Sequence, residues 1–128
     1  MTGKKILVVD DEIHIVHVVA IKFRKNGFDV STAENGAVAL RLACENRPDI
    51  IVTDLQMPEM NGIELVQKLR EKPDTAQIPV IMLTARGFTI EEQQKQQLGI
   101  AEILSKPFSP KELLRTVEDV LHQAMVTK

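Results

Sequence analysis

The stretch Ile50-Ile51-Val52-Thr53-Asp54 decides the fold, because an apolar run of strand length ends there in a carboxylate. A continuous run rich in β-branched residues is typical of a strand buried on both faces of a parallel sheet. Similar runs precede other polar residues in the chain: Ile6–Val9 before Asp10-Asp11, Val80–Leu83 before Thr84, and Ile103–Ser105 before Lys106. The carboxyl ends of parallel strands share one sheet edge, where ligands bind, so we expect these polar side chains to meet.

Five apolar runs alternate with segments of helical periodicity. The runs are Lys5–Val9, Phe28–Ala33, Ile50–Asp54, Val80–Thr84 and Ile103–Ser105. In the segments that follow them, apolar residues recur every three or four positions, as on one face of an amphipathic helix. This alternation predicts an α/β fold of the (βα)₅ type, in which a parallel sheet carries helices on both faces. We expect the strand order 2-1-3-4-5 and a single domain over residues 1–128.

Composition narrows the class of protein. The 128 residues include 16 basic and 18 acidic side chains and carry a net charge of −2, without the basic patch that a nucleic-acid-binding protein needs. No apolar run approaches the ~20 residues of a membrane span, and the N-terminus lacks the features of a signal peptide. We therefore expect a cytoplasmic protein with no membrane or nucleic-acid partner. Cys44, the only cysteine, is expected to be a small buried residue.

Capping signals predict where three helices begin. Ser109-Pro110-Lys111-Glu112 and Thr89-Ile90-Glu91-Glu92 both have the pattern of a capping box. Asn61 precedes Gly62 and is expected to cap the helix that starts there.

The fourth helix, predicted from Ile90 to Leu98, is weak because only its two ends are apolar. Each buried apolar side chain contributes roughly 1.5–3 kcal/mol. Two of them barely offset the cost of ordering the segment. We expect either a loosely held helix, entered through a flexible loop at Arg86-Gly87-Phe88, or a solvated helix that neighbouring elements stabilise.

Three carboxylates at one sheet edge indicate a metal site. If Asp10, Asp11 and Asp54 meet, two of them about 4 Å apart repel by about 4 kcal/mol at an effective dielectric near 20. They must then share a proton or bind a cation. Oxygen ligands without a nearby thiol suit a hard ion, and Mg²⁺ keeps coordination sites for water and phosphate oxygens. Taken singly, Asp10 or Asp11 is as easily a helix cap, and Asp54 as easily starts a turn.

A carboxylate can also attack phosphorus and form an acyl phosphate. Phosphoryl transfer needs mainly positioning and charge neutralisation. Lys106 and Mg²⁺ would neutralise the phosphoryl oxygens, and Thr84 would donate its hydroxyl. This interpretation makes Asp54 the nucleophile and Asp10 and Asp11 the metal ligands. Singly, Thr84 is an ordinary strand-end residue and Lys106 a solvated lysine, so the joint placement carries the argument.

Four segments together resemble the receiver domain of two-component response regulators, of the chemotaxis-regulator type, over the whole chain. They are Ile6–Glu12, Asp49–Gly62, Pro79–Ala85 and Lys106–Phe108. The resemblance implies a flavodoxin-like fold, and an Asp54 that accepts a phosphoryl group from a sensor histidine kinase or phosphotransfer protein.

The resemblance also implies how the site is divided. Asp11, Asp54 and the backbone carbonyl of Gln56 would bind Mg²⁺ directly, with Asp10 acting through water. Thr84 and Lys106 would contact the phosphoryl oxygens. The peptide bond between Lys106 and Pro107 is expected to be cis, as is usual in the family.

The chain departs from the family at Ile103, where the family places an aromatic residue that rotates inward on activation. A β-branched side chain is stiff at its first torsion, so we expect signalling to depend more on the weak fourth helix. The resemblance implies that the fourth helix, fifth strand and fifth helix form the face that binds a downstream output protein or domain. Gln56 and Arg86 lie at positions that tune the lifetime of the acyl phosphate in the family.

Three classes of function are compatible with these residues. The first is a switch that is not an enzyme in the ordinary sense but assists its own phosphorylation and dephosphorylation. The second is a phosphatase of the haloacid dehalogenase type, which needs a second aspartate where this chain has Gln56, and a cap domain for which there is no room. The third is an adaptor that keeps only the fold. The lack of the family's aromatic residue at position 103, which is Ile103 here, favours the adaptor, whereas the complete set of acidic residues argues against it.

Overall fold

A computed structural model describes residues 3–85 and 90–126, except the side chains of residues 125 and 126. The strands are β1 (Lys5–Val9), β2 (Asp29–Ala33), β3 (Ile50–Asp54), β4 (Val80–Thr84) and β5 (Ile100–Ser105). The helices are α1 (Ile13–Lys25), α2 (Gly36–Glu45), α3 (Gly62–Glu71), α4 (Glu92–Leu98) and α5 (Pro110–Val126). All strand pairs are parallel, in the order β2-β1-β3-β4-β5, which confirms the predicted fold class and strand order. Among the described helices, none has the length and apolar character needed to span a bilayer.

Side chains of the central strands alternate between two cores, one on each face of the sheet. On β1, Ile6 and Val8 pack in the core that holds Phe23 of α1 and the buried face of α5. Leu7 and Val9 point the other way, into the core that α2 and α3 cover. Successive side chains of a strand face opposite ways, so an apolar residue is needed at every position of a strand covered on both sides.

The edge strands are harder to recognise than the central ones, and both begin at a different residue from the predicted one. Phe28, the predicted start of β2, donates its N–H to the Phe23 carbonyl (3.1 Å) and so belongs to the turn after α1. β5 begins at Ile100, not Ile103, because Gly99 ends α4 at a φ of 65° and the chain enters the strand at once. A bulge follows, since Val80 pairs with Ile100 and Ile81 with Glu102.

Of the three capping predictions, the one at Asn61 is confirmed and the one at Ser109 is confirmed in part, with one of the two hydrogen bonds of a capping box. The Asn61 side chain accepts from the Glu64 N–H (2.9 Å), and the Glu64 carboxylate accepts from the Asn61 N–H (3.0 Å), which completes a capping box. The hydroxyl of Ser109 accepts from the Glu112 N–H (3.0 Å) at the start of α5. The third prediction is wrong in position, because α4 begins at Glu92 and its cap residue is Glu91. Thr89 and the predicted loop at Arg86-Gly87-Phe88 lie outside the described residues.

No residue of α4 is buried, as its polar sequence predicts, and the Glu91 side chain makes no capping hydrogen bond. The helix is held at its far end by Arg70 of α3, which the sequence analysis missed. Nε of Arg70 donates to the Leu98 carbonyl (2.8 Å) and Nη2 to the Gly99 carbonyl (3.2 Å). Nη1 donates to the carbonyls of Ala76 (3.0 Å) and Ile78 (2.7 Å) before β4. A neighbouring element therefore stabilises the C-terminal end of α4, in line with the second interpretation of this helix.

Cys44 is exposed, so the prediction that it is buried is wrong. The inward positions of α2 are taken by Ala39 and Ala43, which are four residues apart and therefore lie on the same face of the helix. Cys44 follows Ala43 by one position, which turns its side chain about 100° away from the core.

Candidate functional site

The predicted acidic residues come together at the carboxyl edge of the sheet. One oxygen from each of Asp10, Asp11 and Asp54 lies within 4.8 Å of the others. Asp10 and Asp54 are 1% and 5% exposed, whereas Asp11 is open to solvent. Two nearly buried carboxylates beside an exposed one make a site that solvent or a small ligand reaches from one side.

The register between β1 and β3 determines where these acidic side chains lie. Val9 pairs with Thr53, so the residues that follow, Asp10 and Asp54, leave neighbouring strands at the same level. The connection after β3 then turns sharply, because the Gly62 N–H donates to the carbonyl of Leu55 (2.8 Å). A Cβ on Gly62 would lie 2.6 Å from the backbone oxygen of Asp54, so only glycine allows this approach.

Lys106 reaches the same site from the end of β5. Its N–H donates to the carbonyl of Thr84 (2.8 Å), and its peptide bond to Pro107 is cis, as predicted. Nζ lies 3.0 Å from Oδ2 of Asp10 and 3.4 Å from Oδ1 of Asp54. The contact with Asp10 is an ion pair whose geometry does not make a hydrogen bond. The Lys106 side chain is only 17% exposed, so its charge acts on these carboxylates with little screening by water.

Burial and mutual repulsion perturb the two inner carboxylates. Burial, together with the nearby charge of Asp10, raises the pKa of Asp54 to about 6, although Lys106 opposes the shift. Burial also raises the pKa of Asp10, against the lowering effects of the Glu12 N–H and of Lys106. For Lys106, burial lowers the pKa, but hydrogen bonding to Glu12 and the charge of Asp10 outweigh it and raise the pKa above its usual value. The site thus holds excess negative charge that one ammonium does not neutralise.

Thr84 ends β4 beside Lys106 and is 1% exposed. Its hydroxyl has no hydrogen-bond partner among the described residues. An unsatisfied buried hydroxyl costs about 1–3 kcal/mol. Such a group at the edge of an acidic cluster is suited to donate to an oxygen of a bound ligand.

Sequence reasoning missed one member of the site, Glu12. Its Oε1 accepts a hydrogen bond from Nζ of Lys106 at 3.0 Å, across 94 positions of sequence. The two histidines of α1, His14 and His17, are exposed and are not among the three residues of the acidic cluster. Gln56 is exposed in the loop after β3, and the role of its carbonyl stays a prediction.

The surface next to the site is apolar along α1. Ile13, Val18 and Ile21 are between 50% and 63% exposed, the large apolar side chains that stand out among the described residues. Cavities lie on both sides of α1, and one of about 340 Å³ includes Asp10 and Asp11 in its wall. The acidic cluster is therefore bordered by a surface that a protein partner can cover.

Residues 6–118 match the family model described as the response regulator receiver domain. The phosphate regulon transcriptional regulatory protein PhoB of Pseudomonas aeruginosa is 37% identical over 123 residues, which cover 96% of this chain and 54% of that protein. A second relative, histidine kinase P4 of Formosa agariphila, is 37% identical over 123 residues, which cover 96% of this chain and 9% of the kinase. The chain spans about half the length of the transcriptional regulators that it matches.

Solved structures agree with the sequence relatives. The chemotaxis response regulator CheY4 of Vibrio cholerae superposes with a TM-score of 0.85 at 36% identity, over 93% of this chain and 99% of that one. The receiver domain of the sensor histidine kinase PA1611 from P. aeruginosa gives 0.83 at 28% identity, over 94% and 99%. With the fold and the family match in agreement, this chain belongs to the response regulator receiver domain family.

Proposed function

We propose that the chain is a cytoplasmic, phosphorylation-activated switch in which Asp54 accepts a phosphoryl group from a histidine kinase or phosphotransfer protein. One observation carries the proposal: the nearly buried Asp54 lies beside two further carboxylates, an ammonium and an unpartnered hydroxyl. The chain assists its own phosphorylation and dephosphorylation and turns over no separate substrate.

The geometry suits an in-line transfer to Asp54. A carboxylate oxygen forms a bond to phosphorus while the bond between phosphorus and the donor nitrogen of phosphohistidine breaks, and the departing imidazole takes up a proton. Lys106, 3.4 Å from Asp54, neutralises charge on the transferred oxygens. The hydroxyl of Thr84 gains in the product the acceptor that it lacks in the free protein.

The acidic cluster fits Mg²⁺ by its chemistry. Carboxylate oxygens within 4.8 Å of one another are hard ligands, and the described site offers no thiol or imidazole. We assign Asp11, Asp54 and the Gln56 carbonyl as direct ligands and Asp10 as a ligand through water. When bound, the ion supplies positive charge to the phosphoryl oxygens. The similar PA1611 receiver domain is described with a magnesium ion in its active-site cleft, which supports this assignment.

The surface around Asp54 and the known relatives both support protein partners. A phosphohistidine donor must approach Asp54 closely, and the exposed apolar residues of α1 (Ile13, Val18 and Ile21) supply a surface for it beside the site. Relatives that are transcriptional regulators and a histidine kinase both contain a matching segment, which supports a kinase as donor and an output protein or domain as receiver of the signal.

Incubation with Mg²⁺ and acetyl phosphate or phosphoramidate should add one phosphoryl group to the parent protein. Asp54→Ala should gain none, because it lacks the nucleophile. Intact mass spectrometry measures both. The parent in EDTA is the control for the metal requirement. Absence of labelling in a folded parent with either donor would favour an adaptor without phosphorylation, and labelling of Asp54→Ala would place the acceptor elsewhere.

We further propose that phosphorylation changes the face formed by α4, β5 and α5, and that α4 is its mobile part. Three observations support this: no residue of α4 is buried, its first turn lacks a side-chain cap, and its contact with Arg70 lies only at the last residue and the cap. Ile103 of β5 is half-buried against the core on the α4 side and takes the place of the family's aromatic residue.

Amide hydrogen exchange measures this change directly. Residues 92–98 should exchange at a different rate when beryllofluoride and Mg²⁺ occupy the site, while the central strand β3 stays protected in both states. Mass spectrometry of peptic peptides gives the comparison, with Asp54→Ala under the same conditions as the control. Equal protection of α4 with and without the phosphate mimic would rule out its part in the switch.

A further inference from the structure

We propose that Glu12 is a positioning residue for Lys106, which holds the ammonium partly away from Asp54 until phosphorylation. This role rests on the proposed function, since it concerns the availability of Asp54 to metal and phosphorus. Of the three carboxylates around Nζ, that of Glu12 is the exposed one, at 55%, and it accepts a hydrogen bond from the ammonium.

The first observation is that the Glu12 side chain does not cap α1, although Glu12 lies at the N-cap position of that helix. Glu12 is the N-cap residue of α1, where a side chain ordinarily accepts from the first-turn N–H groups. It makes no such bond, and the first turn of α1 contains no other acidic residue. The side chain reaches instead to Lys106. The Glu12 carboxylate thus serves a contact with a distant side chain and does not cap its own helix.

The second observation is that the backbone fixes Glu12 in this place. Its N–H donates to Oδ1 of Asp10 (2.9 Å), while Oδ2 of Asp10 lies 3.0 Å from Nζ of Lys106. Asp10, Glu12 and Lys106 thus form a closed triangle. Glu12 is not one of the three acids whose oxygens converge within 4.8 Å, so among the described residues it contacts the ammonium rather than the metal cluster.

The distances show what this arrangement does. Nζ lies 3.0 Å from Glu12 and Asp10 but 3.4 Å from Asp54, so Lys106 is held closer to the first two carboxylates than to Asp54. Without the charge of Glu12, the ammonium keeps only Asp10 and Asp54 as ionic partners among the described residues. It then competes more strongly with a cation for the same two carboxylates.

A double-mutant cycle tests the role in the unphosphorylated protein. Glu12→Gln should weaken Mg²⁺ binding about two- to fivefold, the range of a solvent-accessible ion pair. In a Lys106→Met background the same change should have no more effect than the matched control Glu34→Gln, an exposed acid at the end of β2. Amide NMR titration gives both affinities, since the chain has no tryptophan or tyrosine for fluorescence. Equal effects of Glu12→Gln in both backgrounds would overturn the proposal.

A second variant separates positioning from a structural role. Serine is a strong N-cap residue, so Glu12→Ser should raise the melting temperature by about 4 °C while weakening Mg²⁺ binding as Glu12→Gln does. A residue that only supports the fold predicts that stability and metal affinity change together. Phosphorylation by acetyl phosphate is measured separately. A parent protein that binds Mg²⁺ but gains no phosphoryl group contradicts the proposed function, but the double-mutant cycle still tests the role of Glu12 because it measures only Mg²⁺ affinity. A parent that binds no Mg²⁺ overturns the role of Glu12.

Discussion

Gly62→Ala should lower the free energy of unfolding by about 1–3 kcal/mol, the usual cost of overpacking a well-packed site. Helix propensity alone predicts the opposite sign, because alanine is better than glycine by about 1 kcal/mol inside a helix. The added Cβ would lie 2.6 Å from the backbone oxygen of Asp54, 2.7 Å from Sδ of Met82 and 3.1 Å from Cα of Leu55. Two of these atoms belong to the backbone at Asp54 and Leu55, so if Asp54 is the nucleophile, as proposed, phosphorylation should also slow.

Gly36→Ala is the matched control, because Gly36 is likewise the first residue of a helix after an asparagine cap. The three atoms nearest to its added Cβ, at 2.8–2.9 Å, all belong to the side chain of Met60, so Gly36→Ala should also cost stability but should not press on the backbone of Asp54. Urea unfolding gives the two free energies, and intact mass after timed incubation with acetyl phosphate gives the two rates. Equal slowing of phosphorylation in Gly62→Ala and Gly36→Ala would show that the approach to the Asp54 backbone is not the cause.

Asp54→Asn should stabilise the metal-free protein by about 3 kcal/mol at neutral pH. This is the free energy that corresponds to a carboxyl pKa raised from 3.8 to about 6. A pKa raised on folding means that the native state binds the proton more tightly than the unfolded chain does. The ionised Asp54 therefore costs stability above about pH 6, and the cost disappears as the pH falls toward 4. Asparagine keeps the shape and removes the charge.

Urea unfolding of parent and variant between pH 4 and 8 in EDTA measures this difference. The gain from Asp54→Asn should grow as the pH rises from 4 to 6 and then level off. Asp119→Asn, an exposed aspartate on α5, provides the control for the substitution itself. A gain that is the same at pH 4 and pH 7 would mean that the charge of Asp54 is not the source of the cost.

The central strands were predictable because both of their faces are covered. Each position of β3 and β4 is buried, so each strand begins as a continuous apolar run. The polar residue that ends each strand, Asp54 or Thr84, marks the edge of the sheet. The same property predicted the site, since parallel strands bring their carboxyl ends to one edge. Edge strands lack this signal: β5 has only Ile100 fully buried, and its predicted start is three residues late.

Contacts between polar side chains that are far apart in the chain could not be predicted from the sequence. Glu12 and Lys106 are each ordinary surface residues by type, and only the fold brings them together. Arg70 lies among the charged residues of α3 and donates to four carbonyls, two at the end of α4 and two in the segment before β4, a role that no spacing along the chain reveals. Cys44 shows a smaller error of phase, since one step along a helix turns a side chain from the core to solvent.

The few contacts of α4 limit how it can move in the proposed switch. Arg70 holds Leu98 and Gly99 at one end, and Ile90 packs against the core just before the other end, while no residue of the helix itself is buried. Seven residues make a helix about 10 Å long, so a rotation of roughly 10° about the Arg70 contact would displace its first residue by about 2 Å. In the proposed switch, the packing of Ile90 would therefore change most and the start of β5 least.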